Sequence, residues 1–110
     1  MRLAIVGSRS IKTADLDKLI PVKPDVIVSG GAVGVDTLAE VWARKNGIQT
    51  LVFKPEWNKY GRSAAFRRDY TIVDNADAVL ALWDGISKGT MHTVNYARSV
   101  GKPVQLVRMA

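Results

Sequence analysis

The 110-residue sequence contains no cysteine. Disulfides, thiolate nucleophiles and cysteine-ligated zinc are thereby excluded. It contains a single histidine, His92, so no multi-histidine metal site forms within one chain. Neither a metal nor a cofactor is expected. No apolar run approaches the roughly 18 residues of a membrane span. The opening stretch MRLAIVGSRS passes directly from a short apolar run into a turn. It reads as a first strand and not as a secretion signal. A cytoplasmic protein with no membrane contact is the expectation. Acidic residues are also scarce: ten Asp and Glu against sixteen Lys and Arg leave a net charge of +6. Such an excess suits nucleic acid, an anionic small molecule or a solvated surface, and the positions of the charges decide among them.

A chain of this length supports one core, so a single domain spans 1–110. Five short apolar runs punctuate it: LAIV (3–6), VIV (26–28), TLVF (50–53), AVLALW (78–83) and VQLV (104–107). Most are β-branched and nearly continuous, as parallel strands buried on both faces require. Helical spacing fills the gaps. Leu16, Leu19 and Ile20 share a face of a helix over 13–20 that Pro21 stops. Val35, Leu38, Ala39 and Trp42 follow i, i+3, i+4, i+7 spacing over 35–46, with Trp42 in the core and Gly47 as a C-terminal cap. Two further helices are expected over 63–75 and 90–100. The alternation predicts an α/β fold: a Rossmann-like, doubly wound, five-stranded parallel sheet of order 3-2-1-4-5, with helices on both faces.

Ligands of such sheets bind at the carboxyl ends of the strands, beside the switch point. Six of the nine glycines fall at that edge: Gly7, Gly30, Gly31, Gly34, Gly85 and Gly89. So do eight of the sixteen basic residues: Arg9, Lys12, Lys54, Lys59, Arg62, Arg67, Arg68 and Lys88. They form either an anion funnel or a solvated basic rim, and the funnel is the expectation. In SGGAVGVD (29–36) the Gly31-x-x-Gly34 spacing matches the end of a dinucleotide fingerprint, with Ser29 in place of its first glycine. No Gly-Lys-Ser/Thr follows, so it is not a Walker loop. Glycines here either expose backbone N–H groups to an anion or only let strand and helix pack closely. Asp36, in the first helical turn, either complements the helix dipole or meets a ribose hydroxyl or base.

The second loop, WDGISKGTMHT (83–93), repeats the strand, glycine, helix design with Gly85, Ser87, Gly89 and Thr90. Trp83 either walls the site or packs. The first loop, GSRS (7–10), supplies Ser8 and Arg9, and Arg9 is suited to clamp a phosphate. The segment KPEWNKYGRSAAFRRD (54–69) interleaves Trp57 and Tyr60 with cations. Its aromatics either stack on a base or anchor the loop in the core. Adjacent helical residues lie about 100° apart, so only one of Arg67 and Arg68 faces the crevice. His92 reads as a surface or hydrogen-bonded structural residue before a catalyst.

With these loops in order, GSR, SGGAVGVDTLAEVWA, RRD and NADAVLALWDGISKGTMHT together resemble the SLOG superfamily. The likeness is strongest to its small single-domain YpsA-related branch and more distant to Lonely Guy phosphoribohydrolases and the DNA-processing protein A. The resemblance implies a nucleotide-like small-molecule ligand at the strand ends and often a dimer. Enzymatic members carry Pro-Gly-Gly-x-Gly-Thr-x-x-Glu after strand 4 and an arginine on helix 3. Gly89 and Thr90 match the Gly-Thr, Arg68 (or Arg67) matches the arginine, and Thr93 stands at the glutamate position. Threonine cannot protonate a leaving group, so Asp36, Arg68 and Asp84 are the remaining catalytic candidates. Three functions stay open: a nucleotide-binding sensor, carrier or sequestering module; a phosphoribohydrolase-like hydrolase; and, least favoured, a DNA-binding protein.

Overall fold

Successive residues of a strand point to opposite faces of its sheet, and this parity sets the layers. The computed structural model describes residues 1–109. Strands β1 (Arg2–Gly7), β2 (Val26–Ser29), β3 (Gln49–Val52), β4 (Ala78–Trp83) and β5 (Val104–Arg108) form one sheet of order β3-β2-β1-β4-β5. Every pairing is parallel, with Leu3 opposite Ile27 and Ala78, and Val79 opposite Val104. The predicted Rossmann-like α/β fold and strand order are those of the protein.

Leu3, Ile5, Ile27, Leu80 and Leu82 point to one face. There they meet helix α1 (Leu16–Leu19) and helix α2 (Val35–Lys45) through Leu16, Val35, Ala39 and Trp42. Ala4, Val6, Val28, Val79 and Ala81 point to the other face. They meet helix α4 (Ala64–Asp74) and helix α5 (Lys88–Ser99) through Ile72, Val73, Val94 and Ala97. A short helix α3 (Trp57–Tyr60) and a 3₁₀ turn (Gly61–Ser63) lead into α4. The central strands are buried on both faces, whereas the edge strands β3 and β5 are partly exposed. Trp42 is 8 % exposed and donates its indole N–H to Asp17 at 2.8 Å. Among the described residues no helix is long and apolar enough to cross a membrane.

Two local expectations shift. The first helix covers Leu16–Leu19 and not 13–20, because the Asp15 side chain accepts the Lys18 N–H and starts the helix there. The segment ahead of α4 is helical and not a plain loop. Trp57 opens α3 with 53 % of its surface exposed, so it does not anchor the segment in the core.

Candidate functional site

The strand order reverses between β1 and β4, so the loops following these strands diverge to opposite faces and leave a crevice between them. A crevice of about 330 Å³ opens there, lined from the β1, β2 and β4 loops and from α4 and α5. Gly7, Arg9, Asp36, Arg68, Asp84, Ser87, Gly89, Thr90 and Thr93 of the expected site line it. Ser10, Ala32, Phe66 and Asp69 join them. Trp57 lies elsewhere, beside Pro55, Glu56, Asn58 and Lys59.

The helix that SGGAVGVD enters begins at Val35 with Gly34 as its N-cap and no side-chain cap bond. Its first N–H groups therefore have no intrahelical acceptor. The glycines have steric reasons. A Cβ on Gly34 would lie 2.7 Å from the Arg9 and Ser8 backbone, and its φ of +82° disfavours side chains in any case. A Cβ on Gly7 would meet the Leu82 carbonyl and Val35. At Gly30 the neighbours are charged: a Cβ would lie 2.5 Å from Arg68 Nη1 and 2.9 Å from Asp36 Oδ2. Ser29 is fully buried and donates to Glu40 at 3.1 Å, so its hydroxyl braces α2.

The loop after β4 is held by a carboxylate. Asp84 Oδ1 accepts the N–H groups of Ile86 and Ser87 at 2.8 Å each, and Oδ2 accepts the Ser10 hydroxyl at 2.7 Å. These bonds, that from Ser87 foremost, hold the Asp84 carboxyl down to about 2. An acid so stabilised as its anion is a poor proton donor near neutrality. Ser8 is buried, and its hydroxyl accepts the Asp84 N–H at 3.1 Å. Ser87 caps α5 by accepting the Thr90 N–H and hydroxyl. The Trp83 indole donates to the Ser87 carbonyl at 3.0 Å, fastening the loop. Gly85 has a φ of +86° and lies under the Arg108 guanidinium. The N–H groups of Lys88 and Gly89 lie in the first turn of α5 and face no intrahelical acceptor.

The inner end of the crevice is charged. Arg68 donates from Nη1 to the Gly30 carbonyl at 2.6 Å and from Nε to Asp69 at 2.8 Å, with 9 % of its side chain exposed. It thus ties α4 to the β2 loop. Burial pushes the Asp36 carboxyl up to about 6, against the Ala32 N–H bond and the nearby Arg68 charge. Burial raises Asp69 too, while Arg68 and the Thr93 hydroxyl beside it oppose the rise. Thr93 is buried, and its hydroxyl donates to the Gly89 carbonyl at 3.1 Å.

The expected anion funnel is therefore more local than the sequence implied. Of its eight cations only Arg9 and Arg68 line the crevice, together with Asp36, Asp69 and Asp84. Arg67 turns outward, stacks on Tyr60 at 4.4 Å and donates to Ser63. With Lys54 and Tyr60 it lines a separate depression of about 280 Å³. Tyr60 thus faces Arg67 and not the crevice. His92 shares a 2.9 Å hydrogen bond with Tyr70 and packs on Phe66, an aromatic contact between α4 and α5. Asp69 is the functional candidate that sequence reading passed over. Its signal was its place four residues before the buried Val73, which turns it inward.

The model of the YspA, cpYpsA-related SLOG family matches residues 1–60. The chain belongs to this SLOG family. The match spans the loops after β1 and β2, where the Gly7 and Gly34 contacts bring the two loops together. A relative, the Gene 61 protein of Mycobacterium phage D29, is 35 % identical over 85 residues, which cover 72 % of this chain and 68 % of that protein. No solved structure matches this SLOG chain.

Proposed function

We propose that the protein binds a phosphorylated, nucleotide-like small molecule in the crevice, as a sensor, carrier or sequestering module. One observation carries the reading. Two helices of eleven and twelve residues, α2 and α5, start at a common crevice from glycine-bearing loops on either side of the switch point. The first-turn N–H groups that lack an intrahelical acceptor, and the helix dipoles, favour an anion, and the exposed Arg9 at the mouth adds a cation. SLOG membership supports a nucleotide-related ligand. Calorimetry across mono-, di- and cyclic nucleotides is the test. Saturable binding weakened by Arg9→Ala is expected, and no binding by any member of the panel would overturn the reading.

A second reading, cleavage of a nucleotide N-glycosidic bond, draws on one contact. Where related enzymes place a glutamate the chain has Thr93, and the Asp69 carboxyl lies against that threonine. A carboxyl whose pKa is raised by burial is a candidate proton donor. Release of ribose 5-phosphate from AMP, lost in Asp69→Asn, would establish it. Absence of release from a nucleotide that binds would leave the protein a binding module.

A further inference from the structure

We propose that the depression between α4 and the segment after β3 is a second anion site, in which Lys54 and Arg67 hold the phosphate group of a small molecule. It is separate from the crevice and does not depend on what the crevice binds.

The two cavities differ in their balance of charge. In the crevice Arg9 and Arg68 meet three carboxylates, Asp36, Asp69 and Asp84. In the depression the balance is reversed. Arg68 lines it too, but is already paired with Asp69 at 2.8 Å. That leaves Lys54 and Arg67 against the single carboxylate of Glu56, whose charge also acts on Lys59. Neither Lys54 nor Arg67 forms an ion pair among the described residues. Crowding is greatest at Tyr60, whose ring has Lys59 Nζ at 5.1 Å and the Arg67 guanidinium at 4.4 Å. Two cations gathered on one ring repel each other, and a bound anion relieves that repulsion. Unpaired charge of one sign in a concave surface with apolar walls focuses its field on a counter-ion. Half-buried Phe53, Tyr60 and Tyr70 supply such walls.

The geometry suits phosphate. Arg67 stacks on Tyr60 and donates from Nε to Ser63 Oγ at 3.1 Å. These contacts fix the plane of the guanidinium and leave both Nη groups, a fork that matches two oxygens of one phosphate. Lys54 is positioned through its stem. Its Cγ lies 3.1 Å from where a Cβ on Gly31 would stand, so the chain packs over the β2 loop while the residue stays exposed. The volume of about 280 Å³ lies just below the roughly 300–1,000 Å³ of drug-sized sites. It suits a phosphate with a short organic body. Trp57, the exposed aromatic on which a strand of bases would stack, lies outside the depression beside Pro55 and Lys59, which favours a small molecule over a nucleic-acid strand.

Amide chemical-shift titrations at constant ionic strength, with inorganic phosphate and with glycerol 3-phosphate, test the assignment. Saturable shifts are expected at Lys54, Tyr60, Arg67 and Thr71, which line the depression and not the crevice. Lys54→Gln and Arg67→Gln, at exposed positions and checked by thermal melting, should each weaken this binding about fivefold or more, as the loss of a charge-assisted hydrogen bond implies. Shifts at the crevice residues Asp36, Gly89 and Thr90 should be unaffected by them. Arg9→Ala should do the reverse. Glycerol 3-phosphate tighter than inorganic phosphate identifies an organic ester, and equal affinity free phosphate; either supports the site. Shifts confined to crevice amides, or shifts at the depression that survive both substitutions, would overturn the second site and leave crevice binding standing. A single-stranded oligonucleotide that shifts the depression amides at lower concentration than either probe would overturn the small-molecule assignment. Absence of saturable shifts at the depression with both probes would overturn the proposal outright.

Discussion

The loops after β2 and β4 each bring glycines and an aspartate to the start of a helix, yet they hold their aspartates in opposite ways. In the first, glycines are pressed by neighbours and Asp36 is buried, its carboxyl raised to about 6. In the second, nothing lies closer to a Gly89 Cβ than the Ser87 hydroxyl at 4.0 Å, and Asp84 is held down to about 2 by loop donors. One loop is a clamp that seats a charged cluster. The other is a self-braced turn that leaves a helix end open. Composition alone does not distinguish them, because the difference lies in what packs against each glycine.

Gly34→Ala should give the largest effect. The new Cβ meets backbone at 2.7 Å at a φ of +82°, combining strain with overpacking. The expected cost is about 3 kcal/mol or more, a fall in Tm of roughly 10 °C or more. A change of only a few degrees would show that the first loop is not clamped.

The two aspartates should separate by pH. The Asp36 carboxyl lies above its unfolded value, so the native state binds the extra proton between about pH 4 and 6. Its contribution favours folding below pH 4 and is lost as pH rises through 6, by on the order of 2–3 kcal/mol. Arg68, Asp69 and Glu40 all act on it. Asp36→Asn should flatten urea-denaturation stability between pH 4 and 6, and an unchanged slope would refute the burial of its charge. Asp84 has the reverse sign: its stabilisation is present above about pH 4 and is lost as pH falls toward 2. Asp84→Asn should flatten that lower window and leave the upper one intact, a smaller effect because the group is solvated.

Sheet order and layering were legible because they follow from local pattern: β-branched runs, helical spacing and two-fold parity along LAIV and AVLALW. Residue roles in the crevice were less so, because their partners are remote in sequence. Arg68 bonds the carbonyl of Gly30, 38 residues away, and Ser10 bonds Asp84, 74 residues away. The choice between Arg67 and Arg68 was decidable from register: Arg68 lies four before the buried Ile72, while Arg67 does not share that face. The same count brings in Asp69. Trp57 resisted because a tryptophan among cations looks the same whether it stacks, packs or stands in solvent.

The smallest change in stability should carry the sharpest information. Gly89→Ala adds a Cβ into open space in the first turn of α5. Folding should be unchanged or favoured by about 0.5–1 kcal/mol, since alanine loses less backbone entropy than glycine in a helix. The added methyl nonetheless stands at the crevice, where Gly89 is one of the lining residues, and would hinder close approach to the adjacent N–H groups. A raised or constant Tm with at least severalfold weaker nucleotide binding would mean that this glycine serves a ligand and not the fold. Unchanged affinity would place the anion at α2 alone and make the second loop a structural turn like any other. Gly34→Ala cannot give that answer, because the clamp it breaks also orders the site.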